Sequence, residues 1–79
     1  MYKLVSRIKT STGDNIILVN SNRESIMSAR NKALCFILRN GGIGVYKIYN
    51  EDKAVIESKS ITRLEDGVIL RRNDVGMYI

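Results

Sequence analysis

The chain has 79 residues, which is enough for one compact domain. A hydrophobic content of 44% with 27% charged residues is typical of a folded globular protein and argues against disorder. Histidine is absent and Cys35 is the single cysteine, so the sequence excludes an internal disulfide, a zinc site of cysteine and histidine ligands, and the most common general base at neutral pH. We therefore expect no metal, no cofactor and no catalysis.

The chain begins with a pattern that predicts a β-hairpin. Residues 2–10 alternate, with Tyr2, Leu4, Ser6 and Ile8 on one side of a strand. Residues 11–15 have the composition of a turn, and residues 16–19 are a β-branched apolar run that predicts a second strand.

A helix is predicted next. Ser21 and Glu24 have the spacing of a capping box, which places the start of the helix here. The pattern continues to about Asn40, where two glycines follow that tolerate a left-handed helix end. A helical wheel collects one apolar stripe, consisting of Ile26, Ala29, Ala33, Phe36 and Ile37.

Three further strands are expected after the helix. They cover residues 43–49, residues 53–59 with a continuation or bend over 61–64, and residues 68–72, with turns at 50–52 and 65–67. The element order is β-β-α-β-β-β. The predicted fold class is α+β, a single domain over residues 1–79 with an antiparallel sheet of four to five strands and one helix packed on it.

The helix carries more apolar surface than one sheet contact covers. Met27, Leu34 and Leu38 form a second stripe, separated from the first by Arg30. In one interpretation these residues line the edge of the core while Arg30 extends its guanidinium to water. In the other they form a protein interface or a homodimer face.

Positive charge is concentrated in the first half of the chain. Residues 1–49 contain eight basic and two acidic side chains, whereas residues 50–79 contain five basic and six acidic ones. This distribution favours an acidic protein surface or a nucleoprotein complex as the partner, or DNA or RNA bound directly. The candidate binding residues are those of the helix and of one side of the first strand: Arg23, Arg30, Lys32, Arg39, Lys3, Arg7 and Lys9.

Other motifs favour structural roles. The glycines at 41, 42 and 44 follow a helix, whereas a phosphate-binding loop precedes one, so we interpret them as helix termination. Cys35 falls on the polar side of the wheel, near Lys32 and Arg39, and we interpret it as a passive, semi-exposed thiol. Tyr46 and Tyr49 bracket Lys47 but point to opposite faces of their strand, so they cannot form one stacking platform.

The location and class of function follow from these features. No apolar run approaches the length of a membrane span and the N-terminus has no signal-like apolar core, so we expect a cytoplasmic protein without membrane contact. In architecture and size the layout resembles small accessory proteins of phages and mobile elements, including some anti-CRISPR proteins. The sequence predicts a non-enzymatic inhibitor or modulator that docks on nucleic-acid-handling machinery. The alternatives are a protein that binds nucleic acid directly and a structural or assembly homodimer.

Overall fold

The computed structural model describes residues 1–9 and 16–73, which form one antiparallel sheet of five strands with a helix on one face. The elements in chain order are β1 (Tyr2–Lys9), β2 (Ile16–Arg23), α1 (Ile26–Arg39), β3 (Ile43–Tyr49), β4 (Val55–Arg63) and β5 (Ile69–Asn73). Their order in the sheet is β2-β1-β3-β4-β5. The predicted element order and antiparallel sheet are confirmed. The predicted turn at 11–15 and residues 74–79 lie outside the described residues.

The core lies between α1 and strands β1, β3 and β4. Because β1 separates β2 from β3 in the sheet, the helix that joins those strands crosses over β1. Ala29, Ala33 and Ile37 of the helix are fully buried against Leu4 and Ile8 of β1. The two alanines lie one helical turn apart, so the helix axis approaches the sheet closely. The first apolar stripe of the wheel is therefore the face that packs on the sheet, with Ile26 and Phe36 partly buried.

The helix begins later than the capping-box pattern predicts. Ser21 lies in β2, where it pairs with Leu4, and the strand continues to Arg23. The N-cap is Ser25, whose hydroxyl accepts a hydrogen bond from the Ser28 amide at 3.0 Å. The prediction at Ser21 was wrong because pairing with β1 uses the backbone of residues 21–23, and only tertiary structure supplies that partner.

The helix ends where the sequence predicts, at Asn40 and the glycines that follow it. Asn40 caps α1, and both Gly41 and Gly42 have positive φ, at 107° and 80°. Gly44 has a role that the sequence analysis did not find. It lies where Ile37 of the helix and the Arg7 carbonyl of β1 approach the backbone of β3 most closely, so a side chain has no room there.

Strand β5 lies beyond the helix. The helix contacts the first four strands but not β5 among the residues described. Strand β4 begins at Val55, two residues later than predicted, because residues 50–54 close a turn, and it continues through the segment that we expected to extend or bend it. With 14 residues, α1 is too short to cross a membrane, and no other helix is present in residues 1–9 and 16–73.

Candidate functional site

One side of the sheet has no helix on it. Residues directly opposite each other on neighbouring strands point to the same side, so the pairing register assigns each strand residue to a face. We call the side away from α1 the open face. Its members are Lys3, Val5, Arg7 and Lys9 of β1, Leu18, Asn20 and Asn22 of β2, Ile43, Val45, Lys47 and Tyr49 of β3, Ser58, Ser60 and Thr62 of β4, and Leu70 and Arg72 of β5.

The open face is basic. Five of its members are lysine or arginine and none is acidic. The register places Arg7, Val45, Ser60 and Arg72 in one row across four strands, so the α-carbons of the two arginines are about 14 Å apart. No described residue makes a side-chain hydrogen bond or ion pair with Lys3, Lys9 or Arg72. This surface therefore presents positive charge over several strands.

The structure divides the predicted basic residues between two surfaces. Lys3, Arg7 and Lys9 lie together on the open face, as the alternation in β1 predicted. The four basic residues of the helix region lie on the opposite side of the sheet, so the seven do not form one surface. Lys47 and Arg72 join the open face instead. Sequence reasoning missed them because strand order decides which side chains of β3 and β5 lie beside those of β1.

Two of the helix-side arginines are engaged by neighbouring side chains. Arg23 donates from Nε to the Ser28 hydroxyl at 3.0 Å. Arg30 donates from Nε to both carboxylate oxygens of Glu57 at 2.9 Å, and its terminal nitrogen lies 2.7 Å from Glu57 Oε1. Only Lys32 and Arg39 of the predicted helix set remain exposed without such a contact among the described residues. They line a shallow groove of about 570 Å³ beside Cys35, whose thiol is exposed.

Glu57 connects the helix to β3 through a hydrogen-bonded network. Besides the two contacts from Arg30, its carboxylate accepts a hydrogen bond from the Tyr46 hydroxyl at 2.7 Å. The Arg30 hydrogen bonds hold the pKa of Glu57 below its ordinary value of 4.5, and the Tyr46 hydroxyl contributes to the same shift. Burial raises the pKa of Tyr46 well above 10, and the hydrogen bond to Glu57 adds to this increase. The network holds the helix to the sheet, so the structure gives Arg30 a structural contact.

The two tyrosines of β3 occupy opposite sides of the sheet, which confirms that they cannot stack as one platform. Tyr46 is 3% exposed beneath the helix, whereas Tyr49 lies half-buried on the open face. The residues of the second apolar stripe also differ. Met27 is 67% exposed, Leu34 packs against the edge of the core, and Leu38 is half-buried. The homodimer face predicted from this stripe remains a prediction.

The described residues that could bind a metal or act as nucleophiles are dispersed or have structural partners. No three potential metal-ligating side chains come together within residues 1–9 and 16–73. The buried Ser6 hydroxyl donates to the Val45 carbonyl at 3.0 Å, so it has a structural partner. The carboxylates of the two turns, Glu51 with Asp52 and Glu65 with Asp66, are exposed.

No protein-family model, curated protein or solved structure matches this chain. The function has to be argued from the geometry of the molecule itself.

Proposed function

We propose that this protein is a non-enzymatic inhibitor or modulator, of the phage or mobile-element accessory type, that docks through its open face on nucleic-acid-handling machinery. One observation carries the proposal. The open face has five basic side chains and no acidic one among its described members, and no described helix or strand packs on it, although Val45 at its centre is buried. A surface of this charge attracts an acidic protein surface or a phosphate-lined one.

The apolar members of the open face favour a protein surface as the main contact. Leu18 is 55% exposed and Ile43 49% exposed, and they lie among the basic residues. Aliphatic side chains gain free energy by leaving water against another apolar surface, whereas a phosphate backbone offers them no such contact. A mixture of exposed aliphatic and basic side chains therefore suits an acidic protein that also has apolar patches.

The helix side provides a weaker alternative surface. Arg30 is paired with Glu57, and Arg23 is hydrogen-bonded to Ser28. Lys32 and Arg39 remain, seven residues apart on the helix, and they lie on the same face of it. These two residues therefore supply a matched control, because they carry the same charge as two open-face residues but lie on the other side of the molecule.

The test compares two charge-reversal variants in affinity capture from the cells in which the protein acts. In one variant Lys9→Glu and Arg72→Glu change the open face, and in the other Lys32→Glu and Arg39→Glu change the helix. We expect a nucleic-acid-handling protein to be retained by the wild type and by the helix variant but lost by the open-face variant. Capture is repeated after nuclease treatment, and thermal unfolding checks that both variants fold.

Three results would reject the proposal. Equal retention by both variants would show that the open face is not the docking surface. Loss of the captured protein only after nuclease treatment would show that nucleic acid mediates the contact. Salt-sensitive binding of purified DNA or RNA, abolished by the open-face variant, would assign direct nucleic-acid binding instead.

A further inference from the structure

One end of the open face is hollowed into a groove. It lies where β1, β2 and β3 meet the turn between β3 and β4, and its volume is about 540 Å³. Lys3 pairs with Asn22 on one side and with Tyr49 on the other, so these three side chains form a row across the groove. Lys53, from the turn, also lines it. A groove of this size matches the volume of sites that bind small molecules.

The groove has a positive charge that its own residues do not neutralise. Among the described residues Glu51 is the one acidic residue that lines it, and that carboxylate pairs with the terminal ammonium of Met1 at 2.5 Å. No described residue makes a side-chain hydrogen bond or ion pair with Lys3 or Lys53. Two ammonium groups therefore remain to attract an anion.

The backbone of Lys53 is strained. Its φ is 63°, the only positive φ among the described non-glycine residues. Three hydrogen bonds of the turn hold it there: the Lys53 amide donates to the Asn50 carbonyl, the Ala54 amide to the Asn50 side chain, and the Asn50 amide to the Ala54 carbonyl, all at 3.0 Å. Glycine or asparagine adopts this conformation at lower cost. A lysine that occupies a strained position beside a groove points to a role for its side chain.

We propose that this groove binds a phosphate-bearing nucleotide, as a free mononucleotide or as the phosphorylated end of a single strand. The phosphate contacts the ammonium groups of Lys3 and Lys53, because lysine binds phosphate as a compact point charge. The base stacks on the ring of Tyr49, which is half-buried on this face. The amide of Asn22 supplies both a donor and an acceptor for the edge of the base or the sugar.

The site adds to the proposed function and does not depend on it. Lys9 and Arg72, which test docking, are not among the residues that line this groove. A docking variant that loses its protein partner therefore leaves nucleotide binding intact, and a groove variant leaves the docking residues in place.

The test is a titration followed by amide chemical shifts in NMR, with a nucleoside monophosphate, a 5′-phosphorylated trinucleotide and inorganic phosphate as the three probes. We expect saturable shifts confined to residues 3, 22 and 49–53 with either nucleotide, and weaker binding of inorganic phosphate. Tighter binding of the trinucleotide would assign the site to the end of a strand, and equal binding to the free nucleotide.

Two variants test the roles of the groove residues. Lys53→Asn keeps a residue that tolerates the left-handed turn but removes the ammonium, so the fold should retain or gain stability while nucleotide affinity falls about tenfold. Tyr49→Leu should weaken binding of both nucleotides and leave that of phosphate unchanged. Lys32→Ala removes a basic residue on the helix side of the sheet, away from the groove, and should leave nucleotide binding unchanged.

Several outcomes would overturn the assignment. The first is the absence of saturable shifts with either nucleotide at millimolar concentration. The second is phosphate binding as tight as nucleotide binding, which would show that the base makes no contact. The third is an equal loss of affinity in Lys32→Ala and Lys53→Asn, which would show diffuse attraction to a basic protein.

Discussion

Replacing Gly44 with alanine should destabilise the fold more than replacing Gly67 with alanine. A β-carbon built at this position lies 2.6 Å from the Arg7 carbonyl oxygen, 3.0 Å from Ile37 Cγ1 and 3.2 Å from Ile8 Cγ2. The nearest atom belongs to the backbone of β1, so no rotamer change relieves the contact. Strand β3, strand β1 or the helix must move.

The size of the effect follows from the displacement required. The carbonyl must retreat by about 0.4–0.8 Å to reach a tolerable contact, and overpacking of this kind in a core costs about 1–3 kcal/mol. Because the shift separates two paired strands and lifts Ile37, we expect a loss near the upper end, about 2–3 kcal/mol. A domain of this length has roughly 4–12 kcal/mol of stability in total, so the variant loses a substantial part of it.

Urea denaturation followed by circular dichroism measures this loss, with a melting temperature about 10–20 °C lower as the parallel readout. Gly67→Ala is the matched control. Gly67 has a φ of 87° but nothing lies within 4 Å of its added β-carbon, so that variant reports backbone strain without a steric clash. If Gly44→Ala unfolds at the urea concentration of the wild type, or loses no more than Gly67→Ala, the close approach of helix and strands described above is wrong.

Further predictions concern the helix cap and the Glu57 network. Ser25→Ala should cost about 1 kcal/mol in urea denaturation because the cap is lost, whereas Ser21→Ala should cost nothing, since the buried Ser21 hydroxyl has no hydrogen-bond partner among the described residues. If Ser21→Ala costs more stability than Ser25→Ala, the helix begins at Ser21, as the capping-box spacing predicted. Glu57→Gln should lower stability at neutral pH. Because the folded pKa of Glu57 is lowered, its contribution is present above 4.5 and is lost as the pH falls through the lowered value, so wild type and variant should converge in acid. If the difference in free energy of unfolding between the wild type and Glu57→Gln stays constant from pH 7 to pH 3, this prediction is wrong. Tyr46→Phe should cost about 1 kcal/mol at neutral pH, because the variant loses a hydrogen bond to that carboxylate, and a neutral result would show that Arg30 alone satisfies it.

Much of the local structure was accessible from sequence because it depends on neighbouring residues. Alternation in residues 2–9 predicted that Lys3, Arg7 and Lys9 share a side, and the structure places them there. The helix start was the clearest error. Ser21 with Glu24 and Ser25 with Ser28 are competing starts, and the pairing of residues 21–23 with β1 decides between them.

The candidate sites depended on contacts between distant segments. Arg30 looked like a free cation on the helix wheel, but Glu57, 27 residues away, accepts its hydrogen bonds. Lys53 appeared as the first residue of a strand, and only the structure shows its positive φ and its place beside Lys3 in the groove.

The sequence by itself determined the kinds of side chain available, the alternation within each strand, the helical stripe of small and apolar residues and the excess of basic residues in the first half. These properties are local or compositional, so they can be recognised without knowing which distant segments are in contact in the fold. The tertiary structure alone decided which strands are neighbours, and therefore which basic residues share a surface. Strand order is set by long-range pairing and by the helix crossing over β1, and a pattern with a period of two residues contains no information about either.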